Sequence, residues 1–326
     1  MRATAIAHTN LALVKYWGKR NKELNLPAVG SISVTLKDLF TQTTICFKKE
    51  LRQDVLYLNG SIADASPQKR VSHFLDVVRR KTGINAYAEV KSRNNFPTAS
   101  GLASSASGFA ALAVAACRAA NLDLNPTELS VLARQASGSA ARSIFGGFVE
   151  MQVGNRKDGS DAHATPVTDE KFWPLHILVA ITSGPEKEMG STDAMTLTAW
   201  SSPFFRKWLE TSHQDLADMR FAILQRNLEK VGEIAEHNCF KMHALTMTSR
   251  PALLYWNGTT VNIMLAIRRL RRQGIPVYFS IDAGSHVMAI CTPEASQKIR
   301  HVLEQVDGVS RVLITSPGPA AHIVEN

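Results

Sequence analysis

Residues 97–108 read PTASGLASSASG, a run of small and hydroxyl-bearing residues that leads into a helix predicted over 104–120. The first turn of a helix leaves backbone N–H groups unpaired and carries a partial positive charge. Small side chains let a phosphate approach that backbone, and serine hydroxyls add donors or a magnesium ligand. A helix packed tightly against a neighbour through Ala and Ser has the same composition. The stretch alone therefore leaves phosphate binding and close packing both open.

Hydrophobic periodicity around this stretch predicts strands and helices in the same chain. The alternation of Ser or Thr with Ile, Val and Leu over 31–36 is the two-residue period of a half-buried strand. Segment 41–47 is rich in β-forming residues and is expected to pair with 55–58. The other elements predicted in this part of the chain are strands at 4–15, 87–92, 146–153 and 175–182, and helices at 67–81 and, capped by Asn125, 126–135.

Longer helices dominate the second part of the chain. The predicted elements there are helices at 203–212, 215–227, 228–247, 261–273 and 293–305, and strands at 276–281, 286–291 and 309–315. The change of pattern predicts an α+β chain in two lobes, 1–186 and 187–326. Its length of 326 residues agrees with this division, because one hydrophobic core rarely serves so long a chain.

The composition excludes some classes of protein. Hydrophobic residues make up 45% and charged residues 20%, which is typical of a globular chain and not of a disordered one. The net charge of +9 favours an anionic partner without naming it. The densest basic group, residues 268–272, is interpreted as a solvated helix end; a nucleic-acid patch is the alternative. No aromatic residues are interleaved with these arginines, so no nucleic-acid partner is expected.

The sequence also favours a cytoplasmic protein. The longest nearly unbroken apolar run, 108–117, is too short for a bilayer, which needs about 20 residues. The first residues lack the pattern of a secretory signal, and no membrane contact is expected. The four cysteines are scattered without zinc-binding spacing, which predicts reduced thiols. They are Cys46, Cys117, Cys239 and Cys291.

Four groups of motifs in chain order resemble the small-molecule kinase superfamily named for galactokinase, homoserine kinase, mevalonate kinase and phosphomevalonate kinase (GHMP). Within it, they are most similar to the diphosphomevalonate decarboxylases. The motifs are ALVKYWGKR at 12–20 with LNLP at 24–27 and SISVTL at 31–36, NFPTASGLASSA at 95–106, SGSAARS at 137–143 with GGFVE at 146–150, and IDAG at 281–284. A Walker phosphate motif is absent from the sequence.

The resemblance implies a two-lobed GHMP kinase fold and a chemistry. It implies a ribosomal-protein-S5-domain-2-like N-terminal lobe, a ferredoxin-like α+β C-terminal lobe and a homodimer. The implied reaction uses ATP and Mg²⁺ to phosphorylate the 3-hydroxyl of (R)-5-diphosphomevalonate, then eliminates phosphate and carbon dioxide to give isopentenyl diphosphate. A kinase or decarboxylase of mevalonate or a mevalonate monophosphate stays open, because Asn21 and Asp193 depart from the family pattern.

Three residues are implied to be catalytic. By resemblance, Asp282 contacts the 3-hydroxyl as a general base, or offsets positive charge at C3. Without the resemblance, an Asp before Ala-Gly would be interpreted as a turn cap. Arg142 would bind the substrate carboxylate bidentately. Lys15 lies among apolar residues, so its ammonium needs a partner, either Asp282 or a phosphate.

The resemblance also implies the binding residues. The predicted substrate-binding residues are Tyr16, Lys19, Ser137, Gly138, Ser139, Arg142, Ser191 and Thr192. The predicted ATP-binding residues are Pro97, Gly101, Leu102, Ala103, Ser104 and Ser105. Ser104 is also the predicted magnesium ligand.

Overall fold

The structure is a computed structural model and describes residues 1–96, 102–183 and 189–324. The first half combines a large sheet with three α-helices and one 3-10 helix. Its elements are β1 Arg2–Val14, β2 Lys19–Asn21, β3 Leu26–Pro27, β4 Ser31–Lys48, β5 Val55–Leu58, β6 Ser61–Ile62, α1 Ala65–Thr82, β7 Tyr87–Asn94, α2 Ser104–Ala119, α3 Pro126–Ala136, the 3-10 helix Gly138–Ile144, β8 Phe148–Met151 and β9 Ala164–Thr168.

The second half is built around a smaller sheet. Its elements are β10 His176–Thr182, α4 Ser191–Ser201, α5 Phe205–Leu224, α6 Leu228–Met247, α7 Gly258–Arg272, β11 Val277–Ser280, β12 Val287–Cys291, α8 Pro293–Glu304, β13 Val309–Thr315 and β14 His322–Ile323. Across the described residues, no helix has both the length and the apolar character needed to cross a bilayer.

The first sheet has the strand order β14-β1-β4-β7-β5-β6, and β8 pairs with the first part of β4. Helices α1, α2 and α3 contribute to the hydrophobic core over this sheet. Alanines Ala110, Ala113 and Ala116 of α2 are completely buried there, because small side chains let helix and sheet approach closely. The body of α2 therefore packs tightly, as one interpretation predicted.

The second sheet confirms the ferredoxin-like prediction. Its strand order is β11-β12-β10-β13 and every pair is antiparallel. Together with α7 and α8, the four strands follow the β-α-β-β-α-β order of that topology. Strand β10 is the first strand of this unit. The predicted lobe 1–186 includes β10. Because β10 pairs with β12 and β13, the change from the first sheet to the second lies between Thr168, the end of β9, and His176, the start of β10.

Two other expectations about the elements were wrong. Strand β5 pairs with β7 in parallel, not with β4, because β7 lies between them. The two helices predicted at 203–212 and 215–227 are one helix, α5. Its polar residues Thr211 and Ser212 donate hydrogen bonds to carbonyls four residues earlier and so remain helical. Helix α4, the 3-10 helix and strands β2, β3, β6, β9 and β14 were not predicted.

Side chains and backbone join the two halves. A hydrophobic cluster contains residues of both, including Leu11, Ile32, Val179 and Met288. The segment 316–324 returns from the second sheet to the first, where β14 pairs with β1. We call this segment the strap. Its backbone exchanges hydrogen bonds with Thr35, Lys37, Ile144 and Gly147, so it also contacts the 3-10 helix.

The basic group at 268–272 lies at the carboxyl end of α7. Arg271 makes two hydrogen bonds, of 2.7 and 3.1 Å, to the carboxylate of Glu236. The Arg268 guanidinium lies 5.8 Å from the centre of the Phe240 ring. These two side chains are therefore engaged within the chain.

Candidate active site

Lys15 and Asp282 meet where the two halves face each other. Lys15 follows the last residue of β1, and Asp282 lies two residues after β11. The Lys15 Nζ donates to Asp282 Oδ1 at 2.6 Å, to Ser280 Oγ at 2.7 Å and to the Ala12 carbonyl at 2.7 Å. All three ammonium protons thus have acceptors, as burial of a charge requires. Of the two partners expected for Lys15, Asp282 is the one it contacts.

Arg142 is buried on the 3-10 helix and keeps its charge without a carboxylate partner among the described residues. Its guanidinium donates to Ser33 Oγ at 2.8 Å, to Ser31 Oγ and to Asn10 Oδ1 at 3.1 Å. Burial lowers the pKa of Arg142 from 12.5 to about 10, and the nearby charge of Asp282 acts in the opposite direction. The group therefore stays cationic at neutral pH. A buried cation held only by neutral groups is suited to bind an anion.

The residues that hydrogen-bond to Arg142 were not predicted, and their positions correct the prediction for strand 31–36. The strand 31–36 was expected to be half-buried, but all six residues are buried. Its polar side is not solvent-facing, because Ser31 and Ser33 hold the guanidinium of Arg142 and Thr35 donates to the Phe145 carbonyl at 2.9 Å. The alternation of polar and apolar residues was the only sequence signal for these supports. It does not distinguish a polar face that meets water from one that meets a buried cation.

Tyr16 and Gly138 are in close contact. A Cβ on Gly138 would lie 2.2 Å from the Tyr16 hydroxyl, so only glycine leaves room for the ring. The Tyr16 hydroxyl is buried and has no hydrogen-bond partner among the described residues. Burial raises its pKa above the ordinary value of 10, so it stays a neutral donor. An unpaired buried hydroxyl is an exception that a bound ligand would explain.

Three serine hydroxyls connect the glycine- and serine-rich motif to the 137–143 motif. Ser105 Oγ lies 3.4 Å from Ser137 Oγ, which lies 3.3 Å from Ser139 Oγ. Residues predicted from two separate motifs, one for ATP and one for the substrate, are thereby brought together.

Among the described residues, no side chain caps the amino end of α2. The residue before it, Ala103, has a φ of +51° and no polar side chain to cap the helix. Ser104 and Ser105 are partly exposed, while the buried Leu102 accepts a hydrogen bond from Thr9 Oγ1 at 2.7 Å. The predicted Pro97 and Gly101 lie outside the described residues.

Lys19 lies near the amino end of α4. Its Nζ is 3.4 Å from Thr192 Oγ1, and Ser191 is the first residue of that helix. Burial, followed by the charge of Arg70, lowers the pKa of Lys19 from 10.5 to about 8; the charge of Asp193 opposes this. A cavity of about 360 Å³ adjoins Lys19. Cations this close to one another favour a multiply charged anion.

Two family models together match most of the chain. A family model described as the diphosphomevalonate decarboxylase-like N-terminal domain matches residues 7–164. A second, the mevalonate 5-diphosphate decarboxylase C-terminal domain, matches residues 177–316. The gap between the two models contains the boundary that the sheets indicate.

Two full-length relatives illustrate the similarity. The diphosphomevalonate decarboxylase of Candida albicans is 33% identical, over 97% of this chain and 96% of its own. A phosphomevalonate decarboxylase of Haloferax volcanii is also 33% identical, over 100% of this chain and 99% of its own.

Solved structures show the same fold. A complex of MDDEF with MVAPP, AMPPCP and magnesium has a TM-score of 0.94 and 37% identity, covering 100% of this chain and 99% of its own. Mevalonate diphosphate decarboxylase from Staphylococcus aureus has a TM-score of 0.94 and 36% identity, covering 99% and 98%. The two-lobed GHMP kinase fold is thus confirmed, and the chain belongs to the diphosphomevalonate decarboxylase family.

Proposed function

We propose that this protein catalyses the ATP-dependent decarboxylation of (R)-5-diphosphomevalonate to isopentenyl diphosphate, with release of ADP, phosphate and carbon dioxide. The 3-hydroxyl oxygen takes the γ-phosphoryl group of ATP. Its C3–O bond then breaks, phosphate leaves, and the electrons of the bond to the carboxylate form the new double bond. The observation that carries the proposal is the ion pair of the buried Lys15 with the partly exposed Asp282, together with the buried Arg142, which has no carboxylate partner among the described residues.

Asp282 is the proposed partner of the reacting carbon. The Lys15 Nζ lies 2.6 Å from one of its oxygens, and the Asp282 side chain is still 18% exposed, so a substrate can reach it. A carboxylate in this position can accept the 3-hydroxyl proton, and it offsets positive charge that develops at C3 when phosphate leaves.

Arg142 is the proposed clamp for the carboxylate that is lost. Its three hydrogen bonds to Asn10, Ser31 and Ser33 fix the plane of the guanidinium. Because these three partners are neutral and Asp282 acts on Arg142 only through its nearby charge, a substrate carboxylate would be the first anion bonded to the guanidinium. A fixed guanidinium plane orients the scissile C–C bond, and orientation lowers the barrier of an elimination.

The two phosphate-bearing ends have separate proposed sites. Ser104 and Ser105, with the first N–H groups of α2, would hold the ATP phosphates. Tyr16, Lys19, Ser137, Gly138, Ser139, Ser191 and Thr192 would hold the substrate diphosphate. The Ser104 hydroxyl is an oxygen donor of the kind Mg²⁺ prefers, so the residues fit the metal. Bound Mg²⁺ would neutralise phosphate charge during transfer.

A second candidate substrate is 5-phosphomevalonate. Two observations favour it: the full-length similarity to a phosphomevalonate decarboxylase, and the acidic Asp193, which acts on Lys19 in the proposed diphosphate pocket. A smaller anionic head group would tolerate that acidic neighbour better than a diphosphate would.

One experiment separates these reactions. The purified protein is incubated with ATP, Mg²⁺ and mevalonate, its 5-phosphate or its 5-diphosphate, and ADP and carbon dioxide are measured together. We expect equal amounts of both with the 5-diphosphate. ADP without carbon dioxide would make the protein a kinase, and a higher kcat/KM with the 5-phosphate would select the second candidate. A cytoplasmic location and a homodimer stay predictions from the sequence and its resemblance.

A further inference from the structure

The backbone of Lys15 is held by a side chain from the other half of the protein. Lys15 is one residue beyond β1. The oxygen Oδ1 of Asn238, on α6, accepts a hydrogen bond from its N–H at 2.7 Å. Both residues are buried, at 0% and 1% exposure, so water does not replace this bond. The position of the Lys15 main chain therefore depends on Asn238.

Asp215 sets the orientation of the Asn238 amide. The amide Nδ2 donates to Asp215 Oδ2 at 2.7 Å, and Lys241 Nζ lies 2.5 Å from the same oxygen. A backbone N–H can only donate and a carboxylate can only accept. If the amide were rotated by 180°, its NH₂ group would face the Lys15 N–H, which is also a donor, and its oxygen would face the Asp215 carboxylate, which is also an acceptor. The polarity of the neighbours thus permits one orientation.

The same helix also holds the main chain next to Asp282. Cys239 Sγ lies 3.5 Å from the Ile281 carbonyl oxygen, and His243 Nε2 lies 3.4 Å from it. Asn238, Cys239 and His243 occupy neighbouring turns of α6. One helix therefore contacts the main chain of Lys15 and of Ile281, the residue before Asp282, and so connects to both sides of the ion pair.

We propose that Asn238 is a positioning residue which, oriented by Asp215, fixes Lys15 against Asp282 for the reaction. Asn238 acts through the Lys15 main chain, because its hydrogen bonds go to the Lys15 N–H and to Asp215 and not to the Lys15 ammonium or the Asp282 carboxylate. The role in turnover rests on the proposed function, whereas the anchoring of Lys15 can be measured without it.

The test uses a single and a double variant in which Asn and Asp, side chains of the same size, are exchanged. Asn238→Asp keeps an acceptor for the Lys15 N–H, but it places a second carboxylate next to that of Asp215, and the two repel each other. We expect kcat to fall by about 10- to 100-fold, as for a displacement on the order of 1 Å, while KM for ATP changes less than about twofold. Adding Asp215→Asn restores a donor opposite the new carboxylate and keeps the net charge of the wild type. The double variant should recover kcat to within about threefold, which identifies direct coupling of the two sites.

Asn227→Ala is the matched control. The Asn227 side chain caps α6 by accepting from the Lys230 N–H at 3.0 Å, so its loss destabilises the same helix away from the site. We expect a lower melting temperature with unchanged kcat. Equal losses of kcat in Asn227→Ala and Asn238→Asp, an unchanged kcat in folded Asn238→Asp, or no recovery in the double variant would overturn the positioning role.

Amide hydrogen exchange gives a readout independent of turnover. In the protein without substrates, the Lys15 N–H should exchange faster in Asn238→Asp than in the wild type, and slowly again in the double variant. Unchanged exchange would show that Asn238 does not anchor Lys15. If the wild type turned over no mevalonate derivative, the proposed function would be wrong. The exchange measurement would still show whether Asn238 anchors the Lys15 main chain.

Discussion

Asp282 is the residue whose replacement separates binding from chemistry. In Asp282→Asn the amide oxygen can still accept from Lys15, so the fold should survive, but the negative charge is gone. We expect turnover to fall by at least about 100-fold, the usual contribution of a positioned acid or base. Binding of a fluorescent ATP analogue should not change. The exposed Asp307→Asn serves as the control, and normal turnover of Asp282→Asn would remove this carboxylate from the mechanism.

Lys19 predicts a pH dependence. Its pKa of about 8 in the free protein lies within reach of an assay, and an anionic head group binds only to the protonated form. Substrate kcat/KM should therefore be constant below pH 8 and fall as the pH rises through about 8. In Lys19→Arg the cation persists, because guanidinium groups stay protonated far above this range. An identical decline in Lys19→Arg would assign the titration to another group.

At the residue scale, sequence motifs predicted the charged members of the site better than their supports. Lys15, Arg142 and Asp282 belong to recognisable motifs, and the structure brings them together. Asn10, Ser280 and Asn238 went unnoticed, because a lone polar residue in a buried segment has no local pattern. What gives each of them a function is a partner far away in the chain, which periodicity does not reveal.

At the scale of elements, α3 connects a local signal to the site. Its Asn125 and Glu128 form a reciprocal cap, with hydrogen bonds of 3.0 and 2.9 Å, and its other end leads into Ser137. Asn125→Ala should lower the free energy of unfolding by about 1 kcal/mol. Urea unfolding would measure this loss against the exposed Thr127→Ala. Equal stability of the two variants would contradict the cap.

Local signals explain which helices could be predicted. Asn125 before a proline marked α3, and α6 has the predicted limits, 228–247. Helix α5 was predicted as two helices with a gap at 213–214, which contains no proline or glycine to end a helix. The hydroxyls of Thr211 and Ser212, just before this gap, bond to the backbone of the helix itself.

At the scale of the whole molecule, Gly146 controls how closely the strap approaches the first half. A Cβ there would lie 2.7 Å from both Ala320 N and the Pro319 carbonyl carbon. Gly146→Ala should therefore displace the strap and lower stability by about 1–3 kcal/mol, as overpacking does. Gly258→Ala, where nothing lies within 4 Å, is the control in thermal unfolding. Equal melting temperatures of the two variants would show that the strap can move away from the new methyl group without a loss of stability.

The two-lobed α+β organisation followed from the change of pattern along the chain, but its boundary did not. Strand β10 has the same apolar composition whichever sheet it joins. Its neighbours, β12 and β13, occur more than a hundred residues later, so the choice is made by tertiary pairing.

The strap has a consequence for synthesis on the ribosome. Strand β14 follows every other described element, yet it covers the edge of β1, which precedes them all. At 5–20 residues per second, roughly 15 to 60 s pass between the emergence of these two strands. Throughout that interval the edge of β1 has unpaired backbone groups, which are a template for association with other nascent chains. This is the period in which a ribosome-bound chaperone would protect the protein most.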